Sequence, residues 1–250
     1  MAWIFWNSKY SISNYFIYST LFYLFSLACT GRAADAAFKE GNEYYDEKKY
    51  KEAIDLYNES IQKNKYFAGA YIKKGMALEF LGEYRDAITT YNALLKVNIF
   101  ANEATLRRGI CFLKQGANSC AIKDLQLAYR KEPDNPETLT YLGFCKIKLN
   151  DTSGLQELNR AVLLDSQNYV VFYNRAISLY LLRRFLDALC DFNKASDLNS
   201  DFGEAYFGAG LCIDKLNGRV EACRLWKIAA DKGYVKARAF FDLNCKLIKG

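Results

Sequence analysis

Residues 75–109 read GMALEFLGEYRDAITTYNALLKVNIFANEATLRRG, and the glycine that begins this stretch returns at its end, 34 residues later. The same spacing extends in both directions along the chain. Small residues recur at intervals of 34, 34, 34, 33 and 34 residues, at Gly41, Gly75, Gly109, Gly143, Ala176 and Gly210. We call these six residues the marker positions. A period of this length is typical of a stack of structural repeats.

Three further columns keep a constant distance from the marker positions. Alanine follows twelve residues later, at Ala53, Ala87, Ala121, Ala188 and Ala222. A large residue follows after sixteen, at Tyr57, Tyr91, Leu125, Phe192 and Trp226, and a smaller one after nineteen, at Ser60, Leu94, Ala128, Ala195 and Ala229. The fourth repeat has the same columns one residue early, at Gly154, Leu158 and Ala161, which predicts a one-residue deletion in its turn, near residues 150–153.

Each repeat is predicted to form two helices. In the first helix of the second repeat, Tyr71, Gly75, Leu78 and Leu81 have the spacing of a single helix face. A turn follows in four repeats, marked by Gly82, Gly116, Asn150 and Asn217. Small residues at the marker position and twelve residues later let the two helix axes approach closely, and the aromatic column is predicted to fill the gap toward the next repeat.

This pattern resembles the tetratricopeptide repeat (TPR) family. The residues that carry it are Gly75-x-Ala77-Leu78, Tyr84, Ala87-Ile88 and Tyr91, and, in the third repeat, Ala121, Ala128 and Pro133. The resemblance implies an all-α fold, a right-handed α-solenoid whose first helices line a concave groove. It places six repeats at 34–67, 68–101, 102–135, 136–168, 169–202 and 203–236. Residues 237–250 continue the register as a C-terminal capping helix, with Phe240, Leu243 and Leu247 on one face.

The first helices carry a second stripe of side chains. Its residues stand three positions before, one position after and four positions after each marker position. Fourteen of its eighteen residues are apolar or aromatic, whereas a surface helix normally has one apolar stripe. The stripe is therefore either an exposed binding band or a surface that neighbouring helices bury.

Beside this stripe, two residues before the marker, Lys39, Lys73 and Arg107 form a basic column in the first three repeats, which either meets acidic groups of a peptide or is a solvated edge. The predicted groove residues are Phe38, Asn42, Ile72, Lys73, Met76, Leu106, Arg107, Ile110, Tyr141, Phe144, Tyr173, Asn174, Ile177, Tyr180, Phe207 and Leu211.

The N-terminal segment resembles a targeting signal. No charged residue lies between Tyr10 and Gly31, and Lys9 precedes this apolar stretch. We predict a signal peptide over residues 1–28, cleaved before a lipidated Cys29 as in bacterial lipoproteins, with residues 29–33 as a short linker. Cleavage after Ala33 and an uncleaved membrane anchor are the alternatives. All three place residues 34–250 outside the cytoplasm or against a membrane. We predict an exported, membrane-anchored lipoprotein that faces the periplasm or the cell surface.

The composition excludes several kinds of chemistry. The chain has no histidine, so Ser-His-Asp and Cys-His catalysis and His-ligated metals are excluded. The eight cysteines form no C-x-x-C motif, and we predict no catalytic residue, metal or cofactor. Acidic residues are mixed among the bases that give the net charge of +6, which disfavours a nucleic-acid partner. Disulfides are possible within repeats, as Cys111–Cys120 and Cys212–Cys223.

These features predict a non-catalytic protein–protein interaction scaffold of the cell envelope that binds a protein or peptide partner, with no small-molecule substrate. Its layout resembles TPR lipoproteins that act in envelope, secretion or pilus-type assembly. The alternative from a different class is a surface adhesin that contacts host molecules. An enzyme with an unrecognised site is the third interpretation.

Overall fold

The computed structural model describes residues 31–98 and 101–245, and within them it forms thirteen α-helices and no strand. The predicted signal segment, Cys29 and Leu247 lie outside the described residues. The chain divides into two compact units, Met1–Cys111 and Phe112–Gly250, which we call the N-terminal and C-terminal units. Each is described by itself below.

The N-terminal unit consists of paired antiparallel helices. Helix α1 covers residues 31–46 and is followed by α2 (Tyr50–Lys63), α3 (Ala68–Phe80) and α4 (Tyr84–Val97). Helix α5 (Asn102–Lys114) begins in this unit and ends in the next. The C-terminal unit continues with α6 (Asn118–Lys131), α7 (Pro136–Lys148), α8 (Gly154–Leu164), α9 (Tyr169–Leu181), α10 (Phe185–Leu198), α11 (Gly203–Lys215), α12 (Arg219–Asp231) and α13 (Val235–Asn244).

Two residues after the end of each first helix stands a residue in the left-handed backbone region. The four turn residues predicted from the sequence have positive φ, and Lys48 and Arg183 occupy the same place in the two repeats without a turn signal. After α3, the N–H of Gly82 donates to the Glu79 carbonyl and the N–H of Glu83 donates to the Leu78 carbonyl. These two bonds satisfy carbonyls that the helix end would leave unpaired, so the turn is sharp enough to pair α3 with α4.

The marker and alanine columns lie where the paired helices touch. All five alanines of the twelve-residue column are fully buried. The aromatic column fills the space under the marker of its own repeat, and it also reaches toward the next one, as predicted, where Phe192 packs on Gly208 and Trp226 packs on Phe240. A Cβ at Gly75 would lie 2.3 Å from the Tyr91 ring, and a Cβ at Gly210 would lie 2.4 Å from Trp226. Glycine therefore makes room for the ring.

In the fourth repeat, a second glycine, Gly154, stands in the alanine column and allows close contact of the paired helices. A Cβ at Gly154 would lie 2.3 Å from the Gly143 carbonyl oxygen, so the backbones of α7 and α8 are in close contact. Helix α8 has 11 residues where α4 and α10 have 14, and the turn before it is longer. Gly154 follows Asn150 by four residues, whereas Ala87 follows Gly82 by five, so the missing residue falls in the predicted segment, which forms a turn where the other repeats begin their second helix.

The last helices are joined by a disulfide that the sequence analysis did not predict. Cys223 of α12 is bonded to Cys245, directly after α13, with a Cα–Cα distance of 5.7 Å. Cys111, Cys120 and Cys212 remain thiols, so neither predicted pair forms. Cys212 is buried in apolar packing, whereas Cys245 is brought against α12 by the packing of α13. Phe240 lies in this cluster, but Leu243, predicted on the same face, is 83% exposed.

Candidate functional site

The second apolar stripe is half-buried along most of its length. Thirteen of its eighteen residues have intermediate exposure and none is fully exposed. Five are buried, and these are Leu106, Ile110, Leu113, Thr140 and Ile147. The binding band predicted from the sequence is therefore not continuous, and Leu106 and Ile110 contribute to packing.

A cleft opens on this stripe within the C-terminal unit. It has a volume of about 160 Å³ and lies between the neighbouring first helices α9 and α11. Helix α9 contributes Tyr173, Ile177 and Tyr180, which are spaced to lie on one helix face. The other lining residues are Phe207, Gly208, Leu211 and Glu204 of α11, Phe192 of α10 and Tyr234 of the turn before α13. Five of the predicted groove residues meet here.

Aromatic contacts fix the walls of this cleft. The Tyr173 ring packs edge-on against Phe202 and Phe192, with centroid distances of 4.8 and 5.8 Å. The Phe207 ring packs against Tyr234 at 5.3 Å on the opposite side. Because aromatic pairs in these geometries hold each other in place, the cleft is a preformed feature of the C-terminal unit.

Gly208 lines the cleft with backbone atoms only, next to the Phe192 ring. A Cβ at this position would lie 2.4 Å from the Phe192 ring. Gly208 stands two residues before the marker, in the column that supplies Lys73 and Arg107 in the N-terminal unit. Where earlier repeats have a long basic side chain, this repeat has a glycine backbone in close contact with the Phe192 ring.

The tyrosines of the cleft are neutral hydrogen-bonding groups. Burial raises the pKa of Tyr173 above its usual range, and the nearby Tyr234 and Glu204 raise that pKa further. Burial likewise raises the pKa of Tyr180 and of Tyr234. The carboxylate of Glu204 is therefore the one charged group among the residues that line the cleft.

The predicted groove residues of the N-terminal unit are engaged by their neighbours. Lys73 Nζ lies 4.8 Å from the centre of the Tyr45 ring, and Arg107 Nη1 lies 4.0 Å from Glu79 Oε2. The Tyr57 hydroxyl donates to Asn42 Oδ1 at 2.9 Å. Two of the three basic-column residues thus contact a ring or a carboxylate, whereas Lys39 is exposed. The Phe38 ring packs on Phe67, and Ile72 and Met76 are half-buried.

Three predicted groove residues of the C-terminal unit lie outside this cleft. Asn174 is buried, and its Nδ2 donates to the Val170 carbonyl at 2.8 Å, so it stabilises α9 and does not present an open polar group. Phe144 is half-buried, with Lys148 Nζ 6.0 Å from its ring centre. Tyr141 lines a wider, polar cleft of about 460 Å³ between the starts of α7 and α9, with Asn135, Glu137, Asp165 and Asn168 among its neighbours.

Sequence reasoning missed Glu204, Phe192 and Tyr234 as members of the site. Phe192 belongs to the aromatic column, which indicated packing only. Glu204 stands six residues before its marker position, in a column that is also acidic at Asp35, Glu103 and Glu137, so the period did carry a signal for it. Tyr234 stands at a position with no repeated residue type, and the period gave no signal there.

The described part of the chain shows neither a metal-binding cluster nor a membrane-spanning helix. Residues 31–98 and 101–245 contain no group of three or more His, Cys, Asp or Glu side chains arranged to hold a metal ion. None of the helices in these ranges has both the length and the apolar character needed to span a bilayer.

Comparison with known proteins supports the repeat assignment. Residues 72–136 match the family model described as Tetratricopeptide repeat. No curated protein sequence matches the chain.

Solved structures match over most of the described fold. The Cut9–Hcn1 hetero-tetramer of the APC/C contains a chain with a TM-score of 0.77 and 18% identity, over 90% of this chain and 46% of that one. This chain thus covers less than half of that protein. TTC0263, a thermophilic TPR protein of Thermus thermophilus, matches with a TM-score of 0.64 and 18% identity, over 71% of this chain and 98% of that one.

PilF of Pseudomonas aeruginosa has a TM-score of 0.63 and 14% identity, over 86% of this chain and 99% of that one. At such identities the likeness concerns the fold alone. The fold class predicted from the sequence, an all-α solenoid of helix-turn-helix repeats, is confirmed.

Proposed function

This chain is a tetratricopeptide repeat protein, and on that premise we propose that it is a non-catalytic scaffold that holds a segment of a partner protein. The observation that carries the proposal is the apolar cleft between α9 and α11, because a preformed apolar cavity lined by aromatic side chains is the usual form of a binding site. Its walls come from the stripe that also stands out in the sequence.

The chemistry of the cleft favours binding over catalysis. Its lining holds one carboxylate and three tyrosines, and the chain has no histidine to serve as a general base. Apolar side chains of a partner segment would leave water when they enter this cleft. Removal of apolar surface from water is the main source of binding free energy in such complexes.

We expect Tyr180→Ala to weaken capture of a partner segment by about 1–3 kcal/mol, because aromatic residues at the centre of an interface carry much of its energy. A suitable probe is a peptide selected on the wild-type chain from a randomised displayed library, with its affinity measured by fluorescence anisotropy. Circular dichroism should show unchanged helix content, since Tyr180 is half-buried.

The matched control is Leu163→Ala. Leu163 lies on the second helix α8, is 83% exposed and does not line the cleft. If this variant lost affinity while Tyr180→Ala bound normally, the partner segment would lie on another surface and the proposed site would be wrong.

We also propose that the protein is exported and anchored at the cell envelope through a lipid on Cys29, where it would take part in envelope, secretion or pilus-type assembly. Two features support export: the uncharged segment before Cys29, and the Cys223–Cys245 disulfide, since disulfides persist mainly in oxidising compartments.

Replacing Cys29 by serine is expected to abolish metabolic labelling by a fatty-acid analogue and to release the protein from the membrane fraction. Labelling and fractionation of cells that express the two forms would check this. Cys120→Ser is the control, because Cys120 is an exposed thiol within the repeats. Undiminished labelling of Cys29→Ser would contradict the lipid anchor.

A further inference from the structure

Glu204 is a carboxylate without a counter-ion at the wall of an apolar cleft. Within the described residues, no ion pair or hydrogen bond involves its side chain. It is half-buried and acts electrostatically on both Tyr173 and Tyr234. A cation that entered the cleft would therefore meet a carboxylate that no base of the described residues already occupies.

Two bases of the last repeats form ion pairs with carboxylates other than Glu204. Lys232 Nζ pairs with Asp201 at 3.3 Å and lies 5.5 Å from the Tyr206 ring. Near the C-terminal end of α11, Arg219 pairs with Asp214 at 2.9 Å. The column that bears Lys73 and Arg107 in earlier repeats bears Gly208 here, so the repeat itself brings no base to Glu204.

The rings around Glu204 favour the same kind of ligand. Tyr173, Tyr180, Phe207 and Tyr234 all line the cleft, and aromatic rings attract cations through their quadrupole. A cavity of about 150 Å³ accepts a group of the size of one aromatic ring, so a cleft of about 160 Å³ takes a single side chain.

We propose that the cleft between α9 and α11 receives a basic side chain, arginine or lysine, of the partner segment, with its charged head at Glu204 and its aliphatic stem among the aromatic rings. This inference rests on the proposed function. It specifies that the partner segment places a positively charged side chain in the cleft. The long stems of arginine and lysine suit such a site because they pack on apolar surface while the head meets a charge.

The test uses randomised dodecapeptides displayed on phage and selected on the full chain. Peptides selected by the wild type should share an arginine or lysine beside an apolar residue. In a synthetic copy of one such peptide, replacement of that base by glutamine should lower affinity by about tenfold, the scale of a partly buried charge pair. Glu204→Gln should lower affinity for the unchanged peptide by a similar factor.

The two replacements together define a double-mutant cycle. If the base and Glu204 meet, their combined effect should be well below the product of the separate effects. Asp197→Asn is the control: it removes the same charge from an exposed side chain of α10 that does not line the cleft, and should leave affinity unchanged.

Three outcomes would count against the inference. Peptides without a shared base, or peptides that bind Glu204→Gln as well as wild type while Tyr180→Ala weakens them, would overturn the basic ligand and leave the binding cleft in place. A library from which the wild-type chain selects nothing would contradict the proposed function, and the inference with it.

Discussion

Trp226→Ala is expected to lower the free energy of unfolding of the C-terminal unit by about 3–5 kcal/mol, the range for removing a buried tryptophan. Trp226 is fully buried, and its indole fills the space that Gly210 leaves open. The Nε1–H donates to the Phe207 carbonyl at 3.3 Å, and the ring packs edge-on against Phe240 at 4.6 Å. Alanine would leave a cavity that joins α11, α12 and α13. Denaturant unfolding followed by circular dichroism measures the loss.

In Trp226→Ala, protection from hydrogen exchange should be lost first near the substituted residue, because each repeat contacts chiefly its neighbours. Hydrogen exchange should rise first in α11–α13 and later in α6 and α7. Trp226→Phe is the matched control, since it keeps most of the ring volume and should cost less than half as much. Equal loss of protection along the whole unit would show that its helix pairs do not behave as separable modules.

Removing the Cys223–Cys245 disulfide is expected to cost about 2–4 kcal/mol, the usual effect of cross-linking a loop of this length. The bond joins residues 22 positions apart and ties the end of α13 to α12. Helix α13 has only 10 residues, and a helix that short is marginal without tertiary support. The double variant Cys223→Ser/Cys245→Ser should therefore lose protection in α13 before the rest of the unit unfolds.

A reductant supplies the control for this experiment. Dithiothreitol should lower the stability of the wild-type chain toward that of the double-serine variant and should not change the variant itself. If the wild-type chain were equally stable with and without reductant, the bond would contribute nothing to the packing of α13.

The repeat period made most of the fold predictable. The alanine column is fully buried because close contact of two helix axes allows only a small side chain there, and this requirement recurs in every repeat. The same logic predicted the turn residues. It could not reveal that Lys48 and Arg183 adopt the left-handed conformation, because neither residue type signals a turn.

The repeat pattern could not predict features that occur only once in the chain. The disulfide depends on where α13 meets α12, and the candidate site depends in part on Tyr234, which stands in no repeated column. The pattern also overstated the groove. Buried Asn174 shows why, because a polar residue at a groove position has its hydrogen bond with the backbone of its own helix.

The central claim is that a partner segment enters the cleft between α9 and α11. Its most direct test is photo-crosslinking in cells, with a benzophenone amino acid placed at Tyr180 in the cleft or at the exposed Leu163 of α8, followed by mass spectrometry of the products. We expect one partner protein to be joined at Tyr180, through a contiguous segment, and not at Leu163, and the product should disappear when Tyr173 is also replaced by alanine. Crosslinking of the same segment at Leu163 but not at Tyr180 would contradict the account.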